Sequence, residues 1–344
     1  MLYSERLEEY YEILAHHYGS SANTPKAVKY LHLAGKQAVK RSAYAEAIGQ
    51  LSRAVQLVKT LPETRENKQL ELPLQITLGQ ALSVTQGFAS AEAEQTLERA
   101  RDLARRLGDA SQLFASLNEL RAGQQIRAEH DKASLVAEEL LRVARRTGDQ
   151  RQLLLALHAM GGTAYFRGEC CEAREHLEEL LRLYDPQKHR GHDYLSVSVN
   201  VGVWGRCYFS WTLVRLGYSE QALTIALEAL TLARELSHSF SEAAALFGLS
   251  HVHLERRDSQ ATMKMADALI ALSDEHGFPF FLGWGTWLRF QALTEERQMR
   301  EGIAGMRPVI EGMRARGGVA GFSWALGHLA GAHSKAGEVE EGLA

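Results

Sequence analysis

Cysteine is scarce: only Cys170, Cys171 and Cys207 occur, and no two form a C-x-x-C pair. Cys170 and Cys171 are adjacent, so on a helix they point in different directions, and no disulfide framework is indicated. All three read as core or surface thiols. Charge of either sign is also in short supply, with a net of −3 and 24% charged residues. That balance gives no broad attraction for nucleic acid or acidic lipid. The longest apolar runs, such as residues 153–160, fall short of the roughly 20 residues that a membrane span requires. The amino terminus, MLYSERLEEYYEILAHHY, carries charge where a signal peptide would need an apolar stretch. These absences predict a cytoplasmic protein with neither nucleic-acid nor membrane partners. No segment shows the alternation of a strand.

What the chain does have is a beat. Ala93, Ala133 and Ala173 lie 40 residues apart, and after one longer step to Ala222 the interval resumes at Thr262, Gly302 and Gly342. Two more columns keep this register: Leu97/Ala137/Leu177/Ala226/Ala266/Met306 and Ala100/Leu140/Leu180/Ala229/Leu269/Val309. A breaker column, Gly108/Gly148/Ser237/Gly277/Gly317, closes the units. A fixed period of this size marks stacked helical hairpins, none of which can bury its apolar face alone. The spacing Gly-x4-Ala-x3-apolar-x2-small, as at Gly168/Ala173/Leu177/Leu180 and Gly217/Ala222/Ala226/Ala229, resembles the tetratricopeptide grid. The unit length also lies near that of HEAT and armadillo arrays, which stay as the alternative.

The expectation is an all-α protein, a right-handed α-solenoid of antiparallel hairpins with a repeat of about 40 residues, read as one domain over residues 1–344. Apolar residues spaced by three and four predict helices near 4–18, 24–41, 43–60, 68–86, 90–107, 110–127, 131–147, 150–167, 170–184, 193–216, 219–236, 240–256, 259–276, 280–296, 299–316, 320–335 and 338–344. The first stands alone, the rest pair into about seven hairpins, and the last pair is cut short. The beat stretches twice, between Ala47 and Ala93 and between Ala173 and Ala222, and each stretch holds a proline-bearing segment. Residues 61–67 and 184–193 are therefore expected as projecting loops.

Several stretches together look familiar: RLEEYYEILAHHY (6–18), KAVKYLHLAGKQAVKRSAYAEAI (26–48), LELPLQITLGQAL (70–82), REHLEELLRLYDPQKHR (174–190) and LIALSDEHGFPFFLGWG (269–285). They resemble the carboxy-terminal tetratricopeptide region of large bacterial proteins that join a class III nucleotide cyclase domain to a signalling-type (STAND) AAA-like ATPase. The resemblance covers nearly the whole chain and implies a sensor that binds a partner on behalf of the ATPase or cyclase. The catalytic parts of such proteins have no counterpart here. There is no G-x4-G-K-[ST] to cradle phosphates and no strand-borne pair of aspartates. The chain stops at GEVEEGLA, just inside a helix, which is expected of a fragment of a larger protein.

All five tryptophans fall on the first helix of their hairpins. Trp204, Trp284 and Trp324 each precede the small-residue column by 18, while Trp287 and Trp211 come three and seven residues after that same position. Spacings of three and seven share a helix face. His158, Tyr165, Phe247, His251 and Gln291 fall on the same stripe. One reading is a row of anchors on a concave groove, since tryptophan and tyrosine concentrate at binding hot spots; the other is filling between repeats, where bulky rings serve equally.

With 14 histidines, metal binding must be weighed. The pairs His16/His17 and His251/His253 place their rings on different helix faces, and His189, His192, Asp185 and Asp193 sit in the expected second loop. No metal or cofactor is expected, and no catalytic residues are assigned. Acidic pairs such as Glu138-Glu139 and Glu178-Glu179 read as surface ion-pair partners, and Lys26, Lys29, Lys36, Lys40 and Arg41 as a solvated face. The function expected is a non-catalytic scaffold for a protein or peptide partner, the parent's own ATPase domain among the candidates. The alternative is a small-molecule receptor with Trp204, Trp211, His251 and Trp284 gathered around one cavity.

Overall fold

In the computed structural model the described residues are 10–19, 23–41, 43–86, 90–189, 199–296, 298–315 and 319–343. Among them are seventeen helices and no strand. The expected first helix is described from Tyr11, as α1 (Tyr11–Gly19), and residues 4–9 lie outside the description. The chain falls into two compact units, Met1–Ile126 and Arg127–Ala344.

The first unit holds α1, α2 (Thr24–Lys40), α3 (Tyr44–Val58), α4 (Arg65–Gln86), α5 (Ala91–Leu107) and α6 (Ala110–Ile126), each packed on the next. Its core is aliphatic, centred on Val28, Leu31, Leu51, Leu74, Leu78 and Leu82. The hairpins close because one helix offers a glycine to a leucine of its partner. A Cβ at Gly35 would meet Leu51 at 2.7 Å, and one at Gly79 would meet Leu97 at 2.6 Å. The expected loop 61–67 is shorter than its proline suggested. Arg65–Asn67 already form the first turn of α4, because Thr64 Oγ1 accepts the N–H of Asn67 at 3.3 Å.

The second unit holds α7 (His130–Thr147), α8 (Gln150–Arg167), α9 (Cys170–Leu183), α10 (Val201–Arg215), α11 (Ser219–Glu235), α12 (Ser239–Glu255), α13 (Ser259–His276), α14 (Pro279–Glu295), α15 (Met299–Ala315), α16 (Phe322–Ala336) and α17 (Val339–Leu343). The even-numbered helices pack against one another in sequence, and the odd-numbered ones cover them. Sequence pattern decides this division. Residues 207–213 of α10 and 243–252 of α12 are buried without interruption, as befits helices apolar all round. In α13 the buried positions are Thr262, Ala266, Leu269 and Ser273, one stripe with the other face in water.

The columns read from the sequence behave as one surface. Ala93, Ala133, Ala173, Ala222 and Thr262 are all buried to within 2% exposure. The breaker column adopts left-handed backbone at Gly108, Gly148 and Gly277, and Ser237 does so too, at φ 52°; Gly317 lies outside the described residues. A second such column runs through the turns inside the hairpins: Ala128, Gly168, Gly217, Arg257 and Gly337. The helix expected over 193–216 starts at Val201, where Asn200 Oδ1 caps the N–H groups of Gly202 and Val203; residues 193–198 lie outside the description.

Candidate binding site

The ten stripe residues all lie in the second unit, on α8, α10, α12 and α14 and, through Trp324, on α16. The structure joins every one of them into a single connected cluster. On α8, His158 and Tyr165 meet Tyr208 with ring centroids 5.4 Å and 6.1 Å apart. Tyr208 touches Trp204 at 5.4 Å and Trp211 at 5.2 Å. Trp211 packs on Phe247 at 5.5 Å and His251 at 4.9 Å. Phe247 passes to Trp284 at 5.7 Å, and Trp284 to Trp287 at 5.9 Å. Trp324 stacks on His251 at 4.4 Å with an interplanar angle of 17°, and meets Trp287 at 4.7 Å. Gln291 joins through His328, whose Nδ1 lies 3.3 Å from the Gln291 amide nitrogen.

Burial sorts this set into backing and face. His158, Trp211, Phe247, His251, Trp284, Trp287 and Gln291 are buried, whereas Tyr165, Trp204 and Trp324 are half-buried. Trp211 is held by its own indole N–H, which donates to the carbonyl of Gly248 on α12 at 3.1 Å. Trp284 shares a register column with Trp204 and Trp324 but is covered, at 4% exposure. Its ring edge comes within 3.3 Å of where a Cβ would stand on Gly321, at the start of α16. Trp284 is thus covered, while Trp204 and Trp324 are half-buried. The rings expected around a ligand cavity are instead packed on one another. Two open clefts lie elsewhere, one of about 570 Å³ beside Gln69, Leu107 and Asp109 in the first unit, the other of about 450 Å³ beside Pro186, Arg206 and Leu227.

The sequence reading missed Glu255, Tyr208, Arg215 and His328. Glu255 stands four residues after His251, and its Oε1 accepts the indole N–H of Trp324 at 2.7 Å, a contact spanning 69 residues of chain. His328 Nε2 is 3.6 Å and His251 Nε2 3.9 Å from the same oxygen. Burial alone would raise the Glu255 carboxyl; His328, His251 and the Trp324 N–H outweigh it and hold the group down at about 2. Buried and neutral at pH 7, the His251 imidazole brings no charge to Glu255 there, and the lowering at that pH rests on His328 and the Trp324 N–H. Burial, set against the attraction of Glu255, pushes this imidazole down to about 3. The anion thus rests on Trp324 and His328. Burial also pushes the Tyr165 phenol up to about 12, against the pull of Arg215, whose guanidinium sits 5.9 Å from the ring centre. A signal for the missed charges was present one turn further along the stripe, where Arg215, Glu255, Glu295 and Lys335 recur every 40 residues.

The neighbouring Cys207 is fully buried and its thiol is pushed up by burial, which removes its nucleophilicity. His189 Nδ1 accepts the backbone N–H of Asp185 at 2.9 Å and its ring lies 5.4 Å from Tyr184, while His192 and Asp193 lie outside the described residues. The basic residues near the amino terminus form ordinary surface contacts, such as Arg41 with Glu12 and Glu46. Among the described residues no helix is long and apolar enough to cross a membrane.

Hairpins of this kind define a tetratricopeptide-like helical repeat protein. By sequence the chain matches no protein-family model and no curated protein. Its fold is similar to that of the apo quorum sensor NprR from B. thuringiensis, with a TM-score of 0.67 and 15% identity over 89% of this chain and 81% of that one. NprR in complex with its cognate peptide NprX matches with a TM-score of 0.58 and 15% identity over 90% and 82%. A STAND protein with a tetratricopeptide repeat sensor, from Pyrococcus horikoshii, matches with a TM-score of 0.52 and 12% identity over 98% of this chain and 51% of that one. At these identities the likeness is one of fold.

Proposed function

We propose that the chain is a non-catalytic repeat module that binds a peptide or a peptide-like segment of a protein on the face formed by α8, α10, α12, α14 and α16. The observation that carries this reading is the division of the aromatic cluster. Seven buried groups fix the positions of Tyr165, Trp204 and Trp324, so these large rings stay accessible without having to be ordered on binding, which lowers the entropic cost of association. The same fold in NprR holds a peptide, and its hairpin architecture is suited to an extended ligand lying across successive helices. The sequence resemblance, together with the likeness to a STAND sensor, supports a wider role as the sensor or regulatory region of a larger signalling ATPase or nucleotide cyclase.

The test is a library of short fluorescent peptides screened by polarisation against the full chain, followed by Trp204→Ala and Trp324→Ala. Each substitution is expected to weaken the best peptide by about 2 kcal/mol, roughly thirtyfold, while circular dichroism stays helical. A library without binders, or binders indifferent to both substitutions, overturns the proposal.

A further inference from the structure

At the Trp324 end of the aromatic cluster several polar atoms lack hydrogen-bond partners: Glu255 Oε2, Gln291 Oε1, His251 Nε2 and Trp287 Nε1. Every contact to the carboxylate goes to Oε1; Oε2 accepts no hydrogen bond in the structure. Gln291 is 2% exposed, its amide nitrogen faces His328, and its Oε1 is buried without a donor. The Gln291 amide nitrogen lies 3.3 Å from His328 Nδ1, and His328 Nε2 lies 3.6 Å from the Glu255 carboxylate. His251, 5% exposed, turns a buried Nε2 toward Glu255 without a hydrogen bond of its own. The Arg215 guanidinium lies over the Tyr165 ring, 5.9 Å from its centre. Among the described residues no lysine or arginine pairs with the Glu255 carboxylate; its contacts are Trp324 Nε1, His328 Nε2 and His251 Nε2, all to Oε1.

We propose that Glu255 Oε2 and the half-exposed ring of Trp324 form a subsite for a cationic side chain of the bound peptide, an arginine by preference. This rests on the peptide-binding reading and deepens it. Glu255 Oε2 is an acceptor on a half-buried side chain, so an occupant reaching it must bring donors. A guanidinium brings five in a plane, is weakly hydrated, and stacks on an indole face while it pairs with a carboxylate. A lysine ammonium brings the charge without the flat face. Cation–π attraction is strongest for tryptophan among the aromatic side chains, and Trp324 is tied to Glu255 by its own N–H, so ring and charge are presented together.

The experiment uses the full chain labelled with 5-fluorotryptophan, with the Trp324 resonance assigned by its loss in Trp324→Phe. N-acetyl-arginine amide, N-acetyl-lysine amide and the neutral isostere N-acetyl-citrulline amide are titrated in turn. The arginine derivative is expected to shift the Trp324 resonance saturably, the lysine derivative more weakly, and citrulline not at all. Glu255→Gln, which keeps the Trp324 hydrogen bond, should weaken the arginine derivative about tenfold or more, as loss of one member of a desolvated charge pair does. Equal response to citrulline, no saturable response, or full binding by Glu255→Gln overturns the subsite. Peptides that bind wild type and Glu255→Gln alike, whatever their arginine content, also overturn it while leaving peptide binding intact. Arginine-specific shifts in a protein that binds no library peptide support the subsite and remove the peptide reading instead.

Discussion

At the register that places Trp284, Trp287 and Gln291 ahead of Gly302, the first unit carries Gln75, Leu78 and Leu82 ahead of Ala93, and all six side chains are buried. The two units thus build the same hairpin from different fillings. Leucine closes the first unit, helped by Gly79 against Leu97, so the fold does not require tryptophan at these positions. Their concentration in the second unit answers another need. Two carboxyls, one in each unit, are treated in opposite ways. Glu119 on α6 is buried, and burial raises it to about 7 in spite of Gln80 and Arg121. Glu255 on α12 is kept at about 2. Glu119 stores a proton and Glu255 a charge, whereas Glu71, also in the first unit, keeps its charge through Arg99 at 2.8 Å; of the three, Glu255 is the one bonded to a half-buried indole.

The largest expected effect tests whether the aromatic filling carries the second unit. Trp287 is fully buried, so Trp287→Ala should cost about 3–5 kcal/mol of stability. Urea titration followed by tryptophan fluorescence reports this unit alone, because all five tryptophans lie in it. A loss below that of Leu78→Ala in the first unit, read by hydrogen exchange, would dissolve the contrast. Next comes the proton. Glu119 in the fold keeps its proton up to about 7, whereas in the unfolded chain it is lost near 4.5. Its contribution is therefore full below pH 4.5 and is lost as pH rises through 7, a difference of about 3 kcal/mol. Glu119→Gln should gain up to that amount at pH 8 and nothing at pH 4, measured by hydrogen exchange within residues 10–126. Glu255 runs the other way: its contribution is present above 4.5 and disappears as pH falls through about 2. Acid titration of tryptophan fluorescence should show that loss in wild type and not in Glu255→Gln.

The smallest effects concern the turns. Gly108, at φ 72° in the first unit, and Arg257, at φ 60° in the second, occupy the same left-handed region. Gly108→Ala should destabilise by about 1 kcal/mol, and Arg257→Gly should stabilise by about 0.5–1 kcal/mol. Thermal melts of the two variants moving in the same direction would show that turn strain is relieved differently in the two units.

Much of this was legible in the sequence. The 40-residue columns located the helices and their breakers, and the tryptophan register picked out residues that do meet in space. The expected loop at 61–67 came out too long because proline was weighed above the capping hydroxyl of Thr64. Glu255 and His328 escaped because each looks like a surface group on its own helix; only the approach of α16 to α12 makes them neighbours.

By itself the sequence determined the hairpins, since small residues such as Ala133 or Gly161 fix how closely adjacent helices approach, and that depends on side-chain volumes a fixed distance apart along the chain. Tertiary structure alone decided which rings stay accessible. Trp204, Trp284 and Trp324 hold one register, yet Gly321 covers Trp284 and leaves the other two half in water. It also decided which carboxyl keeps its charge. Glu255 on α12 and Glu119 on α6 are the same residue type, and their pKa values part because one finds an indole N–H 69 residues away while burial of the other favours its protonated form.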